Sequence, residues 1–331
     1  MTKKQVLLSI LVILLAGCSS TADQTPTPVP LPDNILELIA GDYPAVDGST
    51  STHPLQTTIA CYILEVECEW WEDNFLNFDR LFQPTLGMIE QDADRANQIF
   101  TIFHSGTHGS YVNLIEGNAD IILVAREPSA DELTLAEEMD VTLDFRPVAL
   151  DAFVFLVNED NPLESLDMDT IRDIYTGEIT HWKEVGITLD LGEDPTEPIH
   201  TYRRNPNSGS QELMEKLVMK ELEMIESPDL TMLTMMAPFN AISVDPLGIG
   251  YSVYYYTEFM ILGEMVKMFG VDGVYPTYET IADGSYPLVT GVYVVIREDT
   301  PSDSMARMLR DWMLTEEGQT VVAESGYAPI P

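Results

Sequence analysis

The sequence feature that most constrains the fold is an alternation of strand-like and helix-like segments. Residues 119–124 and 148–157 are apolar runs interrupted by one aspartate each. Such runs are typical of strands covered on both faces of a parallel sheet, and helical patterns separate them. The alternation therefore predicts an α/β fold with a mostly parallel sheet. A chain of 331 residues is too long for one compact core and suits two domains.

Further elements are predicted around these two strands. A third strand is expected over 99–103, and a helical stretch is expected from Pro54 to about Trp70. Ser/Thr/Gly-rich loops precede several of the helices, and ligands of α/β folds collect where strands end and such loops begin. The other predicted helices end near residues 116, 139, 175 and 314, and a second long strand ends near 296.

The amino terminus has the pattern of a secretory signal. Lys3 and Lys4 precede an apolar run, 6–15, which is too short to span a bilayer. The sequence Leu15-Ala16-Gly17-Cys18 resembles the bacterial lipobox, in which the signal (1–17) is removed and Cys18 is lipidated. Two acyl chains anchor a protein stably, and the Thr/Pro-rich segment 18–34 is predicted to be an extended tether. The alternative is an ordinary signal peptide with an incidental cysteine.

The net charge limits the classes of partner. At −39 the chain offers no basic patch for nucleic acid and no polybasic segment for membrane docking. So much acid favours solubility and works against long-range capture of an anion. An anion site in this chain must therefore depend on local donors.

One stretch, 202–213, has the features of such a site. Arg203 and Arg204 follow a short extended run, and Ser208-Gly209-Ser210 opens a helix predicted to reach about Lys220. The first N–H groups of a helix lack intrahelical acceptors and carry partial positive charge. Serine hydroxyls add donors, and an arginine adds a planar charged fork. Read alone, Ser208-x-x-Gln211 is equally consistent with a capping box, but two arginines beside it in a cation-poor chain favour anion binding.

The remaining candidate groups have structural interpretations. Cys61 and Cys68 would be too far apart to bond on one continuous helix, so a disulfide requires the helix to end between them; structural burial of both is the default expectation, and whether they are bonded stays open. His104 and His108 have no carboxylate or cysteine cluster near them in sequence, which favours a loop role over a metal site. The Met-rich stretch 232–236 is most simply explained as core packing.

Six motifs occur in an order that resembles the substrate-binding lipoprotein of the bacterial phosphate ABC transporter. Each motif is weak alone, and together they span the chain from about Asp47 to its end. They are Asp47-Gly48-Ser49-Thr50 with Pro54-Leu55, Gly106-Thr107-His108-Gly109, the strand 150–157 with Asn161-Pro162, Gly177-x-Ile179-x-x-Trp182-Lys183, Arg204-x-x-x-Ser208-Gly209-Ser210, and Gly248-Ile249-Gly250-Tyr251.

The resemblance implies a two-lobed α/β fold of the periplasmic-binding-protein type (type II), with two hinge strands near residues 150 and 288. The first lobe would combine 35–149 with 288–331, and the second would be 150–287. The implied function is that of a receptor on the outer side of the cell membrane, or in the periplasm. It would close on inorganic phosphate and deliver it to the permease of an ABC transporter, without enzymatic activity.

The resemblance also implies a set of phosphate-binding residues, with no metal and no cofactor. Helix N-termini, hydroxyls and one arginine hold phosphate in this family. The first lobe would contribute the Thr52 hydroxyl, the His53 N–H and the Thr107 hydroxyl. The second lobe would contribute the remaining members, Arg204, Ser208, Gly209 and Ser210.

One departure from the family concerns selectivity. The family commonly has an aspartate after the strand matching 119–124, where it accepts a hydrogen bond from a protonated phosphate oxygen and so disfavours sulfate. This chain has Arg126-Glu127-Pro128 there. Either Glu127 takes the role of the aspartate or Arg126 adds a second cation.

Three alternative functions remain open from the sequence. One is a receptor for another tetrahedral oxyanion such as sulfate. Another is a homologue that senses ligand without supplying a transporter. The third is a lipid-anchored hydrolase using Ser208, although no Gly-x-Ser-x-Gly elbow surrounds a serine between a strand and a helix.

Overall fold

The computed structural model describes residues 31–72, 80–189, 198–226, 230–263 and 266–331. The predicted signal peptide, Cys18 and nearly all of the tether lie outside these ranges. Within them, none of the helices combines the length and the hydropathy of a membrane span.

Strands of the described residues fall into one large sheet and three two-stranded sheets. Their bounds are β1 (Val46–Gly48), β2 (Cys68–Glu72), β3 (Arg80–Pro84), β4 (Ile121–Val124), β5 (Leu143–Asn158), β6 (Ser165–Leu166), β7 (His200–Thr201), β8 (Arg203–Arg204), β9 (Thr231–Met232), β10 (Gly248–Val253), β11 (Val266–Met268), β12 (Gly270–Val271), β13 (Val289–Arg297) and β14 (Ala328–Pro329).

Helices cover the faces and ends of the large sheet. A 3₁₀ turn (Trp182–Val185) and two π-helical segments (Met214–Met219 and Tyr256–Met260) supplement them. The α-helices are α1 (Ile35–Gly41), α2 (His53–Ile63), α3 (Leu86–Gln91), α4 (Ala93–Phe100), α5 (Thr107–Glu116), α6 (Ala130–Glu138), α7 (Met168–Thr176), α8 (Gly209–Leu213), α9 (Ala237–Ser243), α10 (Tyr278–Ala282), α11 (Met305–Met313) and α12 (Glu316–Glu324).

The large sheet is mixed, so the expectation of a mostly parallel sheet is wrong. Its order is β1-β4-β13-β5-β10-β7, with β11 and β14 also paired to β5. Only β1/β4 and β10/β7 are parallel, whereas β13, β5 and β10 run antiparallel to their neighbours along the centre. The alternation of strands and helices holds at the edges of the sheet, and the two long central strands break it.

Strand β5 joins the two halves of the molecule. Its first part, Leu143 to Ala152, pairs with β13, and its last part, Phe153 to Val157, pairs with β10. Every β5 side chain from Ala152 to Asn158 is buried. One continuous strand therefore carries β1 and β4 on one side of the molecule and β10 and β7 on the other.

Helix α2 is shorter than the predicted stretch to Trp70, and this decides the state of the cysteines. The helix ends at Ile63, and the Val66 N–H donates to the Cys61 carbonyl at 2.9 Å as the chain turns back. Strand β2 then begins at Cys68, which is bonded to Cys61 with 6.3 Å between the Cα atoms. The open question is therefore answered by a disulfide, because the helix does end between the two cysteines; of the expected burial, Cys61 is buried and Cys68 is half-buried.

Two other element predictions need correction. The strand expected over 99–103 is instead the end of helix α4 and the turn that follows it; the Asp92 side chain caps the first turn of this helix, and Ala96 and Ile99 are buried at helical spacing. The helix predicted to end near 314 is α11, and it is followed by α12 rather than being terminal. The predicted helices ending near 116, 139 and 175 and the strand ending near 296 are confirmed as α5, α6, α7 and β13.

Candidate anion-binding site

A cleft of about 770 Å³ lies between the two halves of the molecule. On one side its walls come from the loops before α2 and α5, and on the other from the β8–α8 loop and the segment before α9. The described lining residues are Ser49, Thr50, Ser51, His104, Ser105, Gly106, Thr107, His108, Gly109, Ala125, Arg204, Asn205, Asn207, Ser208, Gly209, Ser210, Leu233, Thr234, Met235, Met236, Val253 and Tyr256.

Helices α5 and α8 begin at this cleft, and the loop before α2 also lines it. Each start leaves backbone N–H groups that donate to no acceptor among the hydrogen bonds of the described residues. Such groups are ready donors for an anion, and the helix dipole adds partial positive charge. The N–H groups concerned belong to Thr50, Ser51, Thr107, His108, Gly109, Gly209 and Ser210.

Hydroxyl groups and a close backbone approach fix the α2 and α5 side of the cleft. Ser49 Oγ lies 2.7 Å from Thr107 Oγ1 and accepts from the Ala125 N–H at 3.0 Å. At the end of β1, a Cβ on Gly48 would lie 2.3 Å from the Leu123 carbonyl oxygen, so only glycine allows this packing. The loop is therefore held by bonds that do not use its free N–H groups.

Arg204 is the cation of the cleft. Its side chain is 6 % exposed, Nε donates to the Met232 carbonyl at 3.2 Å, and Nη1 lies 3.2 Å from Met235 Sδ. Its own backbone N–H donates to the Tyr251 hydroxyl at 2.9 Å. No ion pair of the described residues includes Arg204, and burial lowers the pKa of its guanidinium. The neighbouring Arg203 does not line the cleft; it donates to the Ile225 carbonyl at 3.0 Å.

The predicted Ser208-Gly209-Ser210 helix start is where the sequence placed it. Ser208 caps α8 by accepting from the Gln211 N–H at 3.1 Å, and the helix continues as a π-helical segment through Met219. A Cβ on Gly209 would lie 2.4 Å from Thr107 Oγ1, so the two sides of the cleft meet there. Ser208 therefore caps the helix and also lines the cleft, but the capping box is incomplete, because the Ser208 N–H donates to the Asn205 carbonyl rather than to Gln211.

Two predicted residues, Thr52 and His53, do not line the cleft. The Thr52 hydroxyl donates to the Leu123 carbonyl at 2.7 Å, and the Thr52 and His53 N–H groups bond back to Ser49 and Thr50 at 3.1 and 3.3 Å. Ser49, Thr50 and Ser51 occupy the lining instead. Burial, together with nearby His104, lowers the pKa of His53 to about 4. The proline after His53 marked the helix start, but the turn before it uses the N–H groups of Thr52 and His53.

Neither Arg126 nor Glu127 lines the cleft. Arg126 makes two 2.8 Å bonds to Glu132, and both side chains are buried. The Glu127 carboxylate pairs with Lys216 at 2.8 Å and accepts from the Tyr293 hydroxyl at 3.3 Å, and the Lys216 hydrogen bond lowers the pKa of Glu127. The described lining thus contains no carboxylate and no second arginine.

His104 and His108 both reach the lining. His108 Nδ1 lies 3.1 Å from Glu132 Oε1, and the His104 ring packs edge-on against His53 with 4.6 Å between centroids. Among the described residues no group of three His, Cys, Asp or Glu side chains could hold a metal.

Two of the methionines expected in the core contact both the core and the cleft. Met235 and Met236 pack against the core cluster, and they also line the cleft. Between Met232 and Met235, Leu233 is 74 % exposed. The core-packing interpretation of 232–236 is therefore incomplete, because this segment forms the apolar wall beside Arg204.

Comparison with known proteins gives a consistent set of matches. The family model described as a PBP superfamily domain matches residues 88–317. A phosphate-binding protein PstS of Staphylococcus haemolyticus is 24 % identical over 245 residues, covering 72 % of this chain and 74 % of the relative. A phosphate-binding protein PstS of Pseudomonas aeruginosa is 26 % identical over 234 residues, covering 66 % of this chain and 70 % of the relative.

Two solved structures share the fold. A putative phosphate ABC transporter substrate-binding protein from Clostridium perfringens, with bound phosphate, has a TM-score of 0.62 at 22 % identity and covers 86 % of this chain and 98 % of its own. An ABC-type phosphate transport receptor from Vibrio cholerae has a TM-score of 0.57 at 20 % identity, with coverages of 86 % and 99 %. The expected two-lobed α/β fold is confirmed.

Proposed function

Because the chain belongs to the PBP superfamily, we propose that it is an extracytoplasmic receptor that binds inorganic phosphate between two lobes and delivers it to the permease of an ABC transporter. The two sequence relatives are named phosphate-binding proteins, and their alignments with this chain span 74 % and 70 % of their own lengths. The site geometry supports an anion of this kind independently of those names.

The single observation that carries the proposal is the unpaired, buried charge of Arg204. Its guanidinium is 6 % exposed and has a carbonyl and a thioether as partners rather than a carboxylate. A guanidinium keeps its proton in proteins, and a buried charge without a counter-ion is costly. An anion from solution removes that cost, and the planar fork suits two oxygens of a tetrahedral anion.

The other donors line the same cleft. Thr107, Ser208, Gly209 and Ser210, which the sequence predicted, offer hydroxyls and free N–H groups there, at the starts of α5 and α8. We assign to the N–H groups of Thr50 and Ser51 the place predicted for Thr52 and His53. Neutral donors lining one cleft favour an anion without needing a net positive surface.

Two lobes account for capture and release. The first lobe is 35–149 with 288–331, and the second is 150–287, as the hinge positions near 150 and 288 imply. Thr107 and Gly209 come from different lobes and approach closely, which is the contact expected of a closing cleft. Bound phosphate bridges the lobes and favours the closed form that a permease recognises.

The location proposed for the receptor follows from the amino terminus. The signal 1–17 exports the chain, lipidated Cys18 anchors it to the outer face of the membrane, and 18–34 tethers the lobes. We assign no catalytic role to Ser208, because its hydroxyl accepts from the Gln211 N–H to cap α8 and the chemistry of a hydrolase requires a base bonded to the nucleophile.

A second candidate, a receptor for sulfate or a similar oxyanion, is favoured by one observation. The described lining of the cleft holds no carboxylate to accept a hydrogen bond from protonated phosphate. A site made only of donors and Arg204 accepts any tetrahedral anion of the right size. Phosphate and sulfate therefore have to be compared directly.

The test is calorimetric titration of the purified, refolded chain with phosphate and separately with sulfate. We expect phosphate binding in the wild type and about a 100-fold or greater loss in Arg204→Ala, since removing one partner of a buried charged contact costs several kcal/mol. Arg203→Ala is the matched control, because Arg203 is adjacent but lies outside the lining. Unchanged phosphate affinity in Arg204→Ala would overturn the site assignment, and the absence of binding to either anion would overturn the function.

A further inference from the structure

The cleft needs a hydrogen-bond acceptor if it is to prefer phosphate over sulfate. Inorganic phosphate carries at least one P–OH near neutral pH, whereas sulfate carries none. An acceptor that cannot donate pairs with the P–OH and faces sulfate with an unpaired lone pair, which lowers sulfate affinity. Hydroxyls do not discriminate in this way, since each can turn its proton towards either anion.

His108 supplies such an acceptor on the α5 side of the cleft. Its Nδ1 lies 3.1 Å from Glu132 Oε1. Glu132 is fully buried and also accepts two bonds from Arg126 and one from the Ser129 N–H at 2.8 Å. An ionised carboxylate only accepts, so Nδ1 carries the proton and, in the neutral ring, Nε2 has the lone pair.

The orientation of the ring follows from the same contacts. Glu132 lies outside the lining, whereas His108 is part of it and its side chain is 31 % exposed. The Nδ1 edge therefore faces α6, which leaves Nε2 as the ring nitrogen that can face the cleft. Because His108 follows Thr107 at the start of α5, its ring belongs to the same helix start as the free N–H groups of Thr107, His108 and Gly109.

Several charged groups surround the His108 ring. Arg126 already balances Glu132 through two bonds. The other groups that face this cluster are Asp131, 3.8 Å from Nδ1 with a side chain 55 % exposed, and Glu212 of α8 across the cleft, whose pKa is raised by burial. On the cleft side Arg204 and His104 share the lining with His108.

We propose that His108 is the specificity-determining residue of the cleft, with neutral Nε2 accepting the hydrogen bond of a phosphate P–OH and so replacing the carboxylate that the lining lacks. Glu132 is its positioning residue, because it fixes the tautomer and the direction of the ring. This inference rests on the proposed function and specifies how the same site selects its ligand.

The first test compares phosphate and sulfate affinities at pH 8 in the wild type, His108→Ala and His108→Phe. We expect the wild type to prefer phosphate, and both variants to lose about 10-fold or more of that preference through weaker phosphate binding, the size of one lost hydrogen bond to a charged ligand. The phenylalanine variant keeps the ring and guards against a packing effect. His104→Ala is the matched control, since His104 also lines the cleft, and its ratio should stay within about 3-fold of the wild type.

The second readout is the pH dependence of sulfate binding. Sulfate keeps the same charge between pH 5 and pH 8, whereas histidine as a residue type changes charge in about that range. A protonated ring donates from Nε2, so wild-type sulfate affinity should rise as the pH falls, and His108→Ala should lack this rise. A merely structural histidine leaves the sulfate profile the same in both proteins.

Several outcomes would overturn the inference. One is an unchanged ratio in both His108 variants; another is an equal loss for both anions; a third is a His104→Ala variant that shows the larger change. A wild type that binds phosphate and sulfate alike overturns the role of His108 and leaves the oxyanion receptor standing. A wild type that binds neither anion overturns the proposed function itself.

Discussion

The molecule has two buried charges of opposite sign, Arg204 in the cleft and Asp151 in strand β5. They differ in their surroundings and in how each charge can be neutralised or compensated. Asp151 is 1 % exposed. Its Oδ1 accepts from the Ala152 and Tyr255 N–H groups at 2.8 and 3.0 Å, and its Oδ2 has no partner among the described residues. Neither charge belongs to an ion pair of the described residues.

The difference lies in how each group can become neutral. Burial raises the pKa of Asp151 to about 7, so a proton from solvent removes its charge. A guanidinium has no such route, and only an anion can compensate Arg204. The cost of the buried charge in the strand that joins the two halves therefore depends on pH. The cost of the buried charge in the cleft depends on whether an anion is bound.

The largest expected effect concerns Asp151 and the pH dependence of stability. A carboxyl whose pKa is raised in the folded protein favours folding below its unfolded pKa and loses that contribution as the pH rises through about 7. For this group the free energy of unfolding should fall by roughly 3 kcal/mol between pH 5 and pH 8. Asp151→Asn should remove that fall, as measured by urea unfolding at both pH values.

The control for Asp151 is chosen against a second titrating group. Burial lowers the pKa of His53 to about 4. The contribution of His53 to the free energy of unfolding is therefore lost as the pH falls below its unfolded pKa, which is opposite in direction to the contribution of Asp151. The difference between variant and wild type cancels this contribution. Asp160→Asn changes an exposed carboxylate just after β5 and should keep the wild-type slope. A slope in Asp151→Asn equal to that of the wild type would show that Asp151 is not the buried acid responsible.

A smaller change in stability should come from the disulfide, away from both charges. Replacing Cys61 and Cys68 together by alanine frees a short loop in the unfolded chain, which costs about 2 kcal/mol. The bond joins the end of α2 to β2, and the start of the same helix faces the cleft. We expect a lower midpoint of urea unfolding, with the same phosphate affinity and the same pH slope. A weakened phosphate affinity would instead show that the two ends of α2 are coupled.

The helix starts that line the cleft were predictable because their signals are local. A hydroxyl, a glycine and an amphipathic run specify the start of α8 within a few residues, and Arg204 stands beside it in sequence. A local signal also indicated that Arg126 would be paired with an acid. Glu132 stands three residues after Ser129 and forms a capping box with it, so an acid was available to pair with the arginine.

The remaining errors come from contacts between distant parts of the chain. The Thr52 hydroxyl bonds to Leu123, far away in sequence, and this bond turns it away from the cleft. The antiparallel pairing of β5 and β13 joins segments about 140 residues apart, and no local pattern specifies its direction. His108 was interpreted as a loop residue, but it lies in α5. Its contact with Glu132 of α6 joins two helices and fixes the orientation of its ring.

The smallest expected effect is on the ligand-free stability of an Arg204 variant. Arg204→Met keeps a long side chain beside Met235 and removes the uncompensated charge, so the free energy of unfolding without ligand should rise by about 1 kcal/mol. Phosphate should raise the melting temperature of the wild type through preferential binding to the folded state, and it should not raise that of the variant. Arg203→Met should leave both properties unchanged. A strongly destabilised Arg204→Met would mean that the bond to the Met232 carbonyl outweighs the buried charge, and the contrast with Asp151 would then fail.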